Sequence, residues 1–159
     1  MSNNFIFGKN ATMSREQILE TIRTSLESNL REINTSLGTY RTSTNIDESD
    51  TKDPEDFSQQ SESRDMEILM EQQLDNATAQ LSRLNALASR TSDAADAGSI
   101  VESNDQIFFL GVSFPTIKND QKEIIGISAD SPAFQAVRGK GVGDSFQLGQ
   151  NQFTITAIY

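Results

Sequence analysis

The chain of 159 residues contains no cysteine and no histidine. Without cysteine, it has no disulfide framework, no thiolate zinc site and no cysteine nucleophile. Without histidine, it has neither a Ser-His-Asp triad nor an imidazole general base. An independent enzyme built from this chain would therefore need a carboxylate-metal site, and we expect no intrinsic catalytic activity.

Long apolar runs are also missing. No stretch approaches the roughly 18 apolar residues of a membrane span, and the N-terminus has no basic start followed by an apolar run. We therefore expect a cytoplasmic protein with no membrane association. The formal net charge of −10 and the pI near 4.4 argue against direct, sequence-specific binding to nucleic acid, which calls for lysine and arginine. A protein partner that itself handles nucleic acid remains compatible with this charge.

Two long helices are predicted over residues 14–90, which contain one proline and one glycine. The segment "SREQ" (14–17) forms a capping box at the first helix start. Apolar residues then recur every three or four positions, as in the narrow seam of a coiled coil. The seam residues are Ile18, Ile22, Leu26, Leu30, Ile33, Leu37 and Tyr40, then Met66, Met70, Leu74, Ala77, Leu81, Leu84 and Ala88. After a leader at 1–13, we expect an antiparallel coiled-coil hairpin at 14–90.

The second half of the chain has a different composition. Residues 98–159 hold seven of the nine glycines, most of the phenylalanines and short β-type runs. The strands are predicted in "SIVES", "QIFFLGVSF", "EIIGISA", "DSFQLG" and "QFTITAIY". One short helix is predicted in "SPAFQAVRG", with Ser131 as N-cap and Pro132 at the first position. With a linker at 91–97, the expected fold class is α+β, and the C-terminal domain (98–159) is a mostly antiparallel sheet with one helix.

Most of the negative charge lies near the predicted hairpin tip (44–58). Ten acidic and two basic residues lie between Thr44 and Glu71, a net charge of −8. Asp53, Pro54, Glu55 and Asp56 form a helix start, with the acids beside the positive end of the helix dipole. Such a charge run is either a solvated loop or a set of carboxylates that serve a function. In the second interpretation Asp53 and Asp56 converge as a pair for Mg²⁺, which accepts one or two protein carboxylates.

The segment "IIGISADSPAFQAVRGKGVGDSFQL", followed by "FTITAIY", resembles the C-terminal domain of the bacterial transcript cleavage factors GreA and GreB. The matching elements are Ile127-Ser128, Ser131-Pro132 and the run Gly139–Asp144. The resemblance covers about residues 97–159. It implies an N-terminal antiparallel coiled coil and an FKBP-like C-terminal domain, in agreement with the architecture predicted from the residues.

The predicted tip departs from that family, because its Asp-x-x-Glu string is absent. The segment "DPEDFSQQSE" instead resembles the tip of DksA, which carries an Asp-Pro-x-Asp-x-Ala motif. Asp53, Pro54 and Asp56 match this motif, whereas Ser58 stands in place of the alanine. The cysteine zinc site of DksA is also absent here.

These resemblances imply a monomeric factor that binds core RNA polymerase at its secondary channel. The tip acids Asp53, Asp56 and Glu55 would reach toward the catalytic Mg²⁺, which is shared with the polymerase and is no cofactor of the factor alone. The factor would then regulate transcription, as DksA does, or stimulate cleavage of backtracked RNA, as the Gre factors do. Ser128, Ser131 and Pro132 would contact the channel rim, although helix capping alone also explains Ser131 and Pro132.

A second hypothesis belongs to another functional class. In it, the FKBP-like domain binds peptides as a chaperone or adaptor module, and the coiled coil serves as an arm for association. Salt-sensitive binding to core RNA polymerase would favour the first hypothesis, whereas self-association through the helices would favour the second.

Overall fold

The computed structural model describes residues 13–50, 54–119 and 122–159, leaving out the side chains of 44–50 and 54–61. Two long helices come first, followed by strands and one short helix, so the predicted α+β class is confirmed. The elements are α1 (Arg15–Asp50), α2 (Pro54–Leu87), β1 (Ile100–Glu102), β2 (Gln106–Gly111), β3 (Glu123–Ser128), α3 (Pro132–Val137), β4 (Ser145–Leu148), β5 (Asn151–Thr154) and β6 (Ala157–Ile158). Within these described ranges, no helix is long and apolar enough to cross a membrane.

The predicted capping box starts α1. The Ser14 backbone N–H donates to Gln17 Oε1 at 2.9 Å, and the Gln17 N–H donates to Ser14 Oγ at 3.2 Å. These two reciprocal bonds satisfy backbone donors that have no partner inside the helix. The short sequence signal therefore gives the helix start correctly.

The chain divides into two compact units, the chain up to Thr24 with Leu84–Tyr159, and Ser25–Arg83. In the second unit, Arg41 of α1 contacts Glu67 and Glu71 of α2. Because only residues 51–53 separate the two helices, this contact requires them to run antiparallel. The hairpin pairing is thus confirmed in this unit, while the predicted domain boundaries stay a prediction.

The predicted seam is buried or half-buried at every position except one. Leu26, Leu37 and Ala77 are fully buried within the helical unit. Met66 is exposed, so its assignment to the seam was wrong. After Tyr40, the next α1 residues whose side chains are described (41–43) are polar and exposed, so the apolar seam of α1 is interrupted there.

The strands form a four-stranded sheet in the order β3-β2-β1-β6 and a separate β4-β5 hairpin. Among the described strands, β2 and β3 pair in parallel and the other three pairs are antiparallel. The four-stranded sheet is therefore mixed, which the sequence pattern did not reveal. Its predicted second strand also ends early, because Gly111 adopts a φ of +118° that breaks the extended conformation.

The core of the first unit lies between the four-stranded sheet, α3 and the β4-β5 hairpin. Phe108 packs edge-on against Phe146 and Phe153, with ring centroids 5.4 and 5.1 Å apart. From α3, Phe134 and Val137 join the same buried cluster. Burial of these side chains fixes the helix on the sheet and so positions the turn between β3 and α3.

Candidate functional site

The acids expected to act at the tip lie outside the part of the structure that can be described. Asp53 belongs to the undescribed residues 51–53. Glu55 and Asp56 lie in the first turn of α2, but their side chains are not described. Their role therefore stays a prediction.

The turn from β3 into α3 carries the residues expected at the polymerase rim. Ser131 is the N-cap of α3, and its Oγ accepts a bond from the Phe134 N–H at 3.2 Å. The same hydroxyl donates to the Ser128 carbonyl at 2.7 Å. Pro132 follows at the first helical position and is exposed. The capping role is confirmed, and it leaves Pro132 on the surface of a turn with a fixed conformation.

The glycine-rich turn Gly139–Asp144 connects α3 to the β4-β5 hairpin. Asp144 Oδ2 accepts a bond from the Gly141 N–H at 2.8 Å, and the Gly143 N–H donates to the Ile155 carbonyl at 2.8 Å. At the start of the turn, the Gly139 N–H donates to the Ala95 carbonyl at 2.7 Å. These bonds indicate a structural turn.

Arg15, which the sequence analysis did not single out, joins several backbone segments of the first unit. Its guanidinium donates to the carbonyls of Gly98, Tyr159, Ala88 and Arg90 at 2.7–3.0 Å, and to that of Leu87 at 3.4 Å. Burial lowers the pKa of Arg15 from its ordinary value. A cation in the first turn of a helix opposes the helix dipole. The unfavourable position of this cation in the first turn is the feature of the sequence from which a contact outside its own helix could have been predicted.

The carbonyls that Arg15 contacts explain its position. Leu87 is the last residue of α2, and the last carbonyls of a helix lack partners within it. Arg15 therefore supplies the cation and the donors that the end of α2 needs. The same side chain also bonds the carbonyl of Gly98, which lies just before β1. One side chain at the start of α1 thus donates to carbonyls at the end of α2, before β1 and after β6.

A second arginine connects the helices within the helical unit. Arg41 Nε lies 2.6 Å from Glu67 Oε1, and its Nη2 bonds Glu71 Oε1. Hydrogen bonds to Glu67 and then Glu71 raise the pKa of Arg41. Both glutamates belong to the acidic stretch 44–71, so part of that charge is neutralised by α1.

No group of three or more acidic residues that could hold a metal ion occurs in the described ranges. Searches for similar proteins found no matching family model and no matching curated protein. Among solved structures, the chain is similar to the GreA factor homolog 1 protein of Thermus thermophilus. The identity is 20% and the TM-score is 0.32, with 86% of this chain and 94% of that chain covered. The link to the transcript cleavage factors therefore rests on the residues of the C-terminal half.

Proposed function

We propose that this protein binds core RNA polymerase at its secondary channel and carries an acidic helical arm toward the catalytic Mg²⁺. The arm regulates transcription or stimulates cleavage of backtracked RNA, and the protein has no catalytic activity alone. The observation that carries the proposal is the coincidence of two features in one unit. The unit Ser25–Arg83, which carries the two antiparallel helices, includes the whole stretch 44–71 of the chain, whose net charge is −8.

The dimensions of the helices support delivery of these acids. The portion of α1 inside the helical unit, residues 25–50, is about 40 Å long at ~1.5 Å per residue. Such a helix pair is stiff, because its seam is buried along the pair at Leu26, Leu37 and Ala77. An acidic arm also complements a channel lined with basic groups and would be drawn to it by long-range electrostatics.

Asp53 and Asp56, with Glu55 as the alternative, are the residues assigned to the metal. Carboxylate oxygens are ligands that Mg²⁺ accepts while keeping waters or substrate oxygens. In the proposed complex, the polymerase supplies the ion and this chain adds carboxylates beside it. The missing Asp-x-x-Glu string favours regulation over efficient cleavage.

The first unit (the chain up to Thr24 with Leu84–Tyr159), which we call the globular unit, supplies the second proposed contact, through Ser128, Ser131 and Pro132. In this unit the elements follow the order of the resemblance: β3 ends at Ser128, α3 begins at Pro132 and the turn 139–144 leads into the β4-β5 hairpin. The exposed side of the turn is formed by Ala129, Asp130 and Pro132. A rigid exposed turn of this kind suits docking to a fixed surface.

The test uses stalled, backtracked elongation complexes of the polymerase from the same bacterium. Transcript cleavage and binding are measured in parallel for the wild type and for Asp53→Ala/Asp56→Ala. Cleavage that is lost in the double variant while binding persists identifies a Gre-like mode. Binding without cleavage identifies a DksA-like regulator.

A protein that does not bind core polymerase at any salt concentration contradicts the proposal. In that case, self-association measured by sedimentation would support the peptide-binding module with an association arm. The control is Asp75→Ala, which removes an exposed acid of α2 outside the acidic stretch 44–71. It is expected to leave both cleavage and binding unchanged.

A further inference from the structure

The part of the helical unit that leads to residues 44–58 has a weaker seam than the rest. The buried seam residues nearest to it are Leu37 in α1 and Ala77 in α2. Beyond them, none of the side chains at 38–43 and 62–76 is buried, and the seam continues through the half-buried Tyr40, Leu74 and Met70. Apolar contacts have no preferred direction, so a half-buried seam holds one helix only loosely against sliding along the other.

Arg41 adds a directional contact in this part of the unit. Its Nε lies 2.6 Å from Glu67 Oε1, and its Nη2 bonds Glu71 Oε1. The two glutamates are four positions apart, so they share one face of α2 and are separated by about 6 Å along its axis. One planar group of α1 thus bonds acceptors on two successive turns of α2. Sliding of α1 along α2 would disturb both bonds together.

We infer that Arg41 is a positioning residue for the proposed tip acids: its bonds to Glu67 and Glu71 fix the axial register of the two helices on the side of the arm that leads to residues 53–56. The inference rests on the proposed function and adds to it a residue that does not itself touch the metal. Arg41 would act through the tip acids, by setting where along the arm axis they meet the catalytic Mg²⁺.

The size of a register slip explains why the bonds of Arg41 matter. A slip of one residue moves a helix by ~1.5 Å along its axis. Mg²⁺ holds its oxygen ligands at about 2.0–2.1 Å in a nearly octahedral arrangement. A carboxylate displaced by one residue's rise therefore leaves the coordination shell, whereas contacts spread over a docking surface are affected much less. The register should act on the position of the tip more than on affinity for polymerase.

The experiment locates the arm inside core RNA polymerase from the same bacterium. Fe²⁺ replaces the catalytic Mg²⁺, and a thiol reductant is added so that the iron produces hydroxyl radicals, which cut polypeptide close to the ion. Mass spectrometry maps the cuts in the full chain, which is present at saturating concentration. Fluorescence anisotropy measures the affinity of each variant in parallel. In the wild type, the cuts are expected at and beside residues 53–56.

Two variants remove the bonds of Arg41 from opposite sides. Arg41→Ala makes the arm more negative, whereas Glu67→Gln/Glu71→Gln makes it less negative, so their affinities for a basic channel should shift in opposite directions. The yield of cuts at 53–56 should nevertheless fall in both, by about two- to fivefold, which is the effect of exposed ion pairs on an equilibrium. Arg41→Lys keeps the charge without the planar group and should recover part of the yield.

The matched control is Arg31→Ala, which removes an exposed arginine from the same helix. It changes the charge of the arm as Arg41→Ala does, and its cuts are expected to match those of the wild type. Circular dichroism at the assay temperature establishes that each variant keeps its helicity. If Arg41→Ala loses helicity, Arg41→Lys and the glutamine pair decide the result.

Three outcomes overturn the inference, and they can be told apart. Wild-type cuts at 53–56 with unchanged yields in the variants of Arg41 and of both glutamates remove the positioning role and leave the proposed function intact. Yields that fall in Arg41→Ala and rise in the glutamine pair assign the effect to the charge of the arm. A wild type that does not bind polymerase, or that binds without cuts at 53–56, contradicts the proposed function and this inference together.

Discussion

Arg15 Nη2 donates a 2.7 Å hydrogen bond to the backbone carbonyl of Arg90, 75 residues further along the chain. The same guanidinium bonds four more carbonyls, at the end of α2, at Gly98 and at Tyr159. An arginine presents several donors in a fixed planar arrangement, so one side chain can satisfy groups from separate segments. This arrangement makes Arg15 a structural centre of the first unit.

Replacing Arg15 by alanine is expected to lower the free energy of unfolding by about 2–4 kcal/mol, because several half-buried carbonyls lose a charged donor. Arg15→Lys should recover only part of the loss, since an ammonium cannot reproduce the planar donor geometry. Urea denaturation followed by circular dichroism measures both variants. The control is Arg83→Ala, an exposed arginine of α2. A loss below 0.5 kcal/mol in Arg15→Ala would contradict the structural role.

Gly126 is expected to tolerate no side chain. A Cβ at this position of β3 would collide with the Val112 carbonyl oxygen and would lie 2.5 Å from Phe114 Cδ2. Gly126→Ala should therefore cost about 2–4 kcal/mol, as overpacking against backbone does. In contrast, Gly38→Ala in α1 meets nothing within 4 Å and should stabilise the chain by about 0.5–1 kcal/mol.

Thermal unfolding measures both variants: the unfolding temperature is expected to fall in Gly126→Ala and to rise in Gly38→Ala. The pair is a matched comparison, since each variant adds one methyl group to the chain. A neutral effect of Gly126→Ala would mean that β3 and the Val112 segment separate more easily than their packing indicates.

The stabilisation by the ion pairs of Arg41 with Glu67 and Glu71 is expected to depend on salt concentration and not on pH near neutrality. Arg41→Ala should lower the unfolding temperature at low ionic strength, and the difference should shrink at ~1 M salt because exposed ion pairs are screened. Hydrogen bonds to Glu67 and Glu71 raise the pKa of Arg41 above its ordinary value, so its contribution is fully present at all pH values below that ordinary pKa and is lost only as the pH rises through the raised one. The effect should thus be constant between about pH 6 and 9.

Arg41→Lys separates charge from geometry. It keeps the charge but cannot bond two glutamates with one planar group, so we expect an intermediate unfolding temperature. Thermal melts at two salt concentrations and three pH values measure the whole series. An Arg41→Ala effect that persists unchanged at high salt would indicate a packing role instead.

Local sequence signals predicted the elements that depend on neighbouring residues. The Ser14–Gln17 capping box, the Ser131 cap and the seam through Leu37 and Ala77 each follow from spacings of a few positions. Such spacings express geometry within one helix or one turn. The helices and the strand-to-helix turn could therefore be predicted from the sequence.

The features that escaped prediction depend on segments distant in the chain. The parallel pairing of β2 with β3 and the five carbonyls around Arg15 arise from the tertiary arrangement. Met66 fits the seam by spacing, yet its side chain is exposed. The proposed tip acids are different, because their identification rests on resemblance and charge alone.

Pro132 allows the proposed rim contact to be separated from helix capping. Its side chain is exposed, whereas the bonds that cap α3 are made by Ser131. Pro132→Ala should lower stability by at most ~1 kcal/mol, because alanine fits the first helical position and only the restriction of the unfolded chain is lost. If the turn docks on polymerase, the same variant should weaken binding to the core enzyme about threefold to tenfold, since a central contact at an interface is lost.

Ser131→Ala is the complementary variant. Loss of the cap to the Phe134 N–H and of the bond to the Ser128 carbonyl should cost about 1–2 kcal/mol, and Ser131→Thr should retain most of that stability. Anisotropy titrations against core polymerase, paired with unfolding curves for all three variants, measure both quantities. Pro132→Ala with unchanged affinity, beside a wild type that binds, would assign the Ser131-Pro132 pair to capping alone and place the rim contact elsewhere on the globular unit.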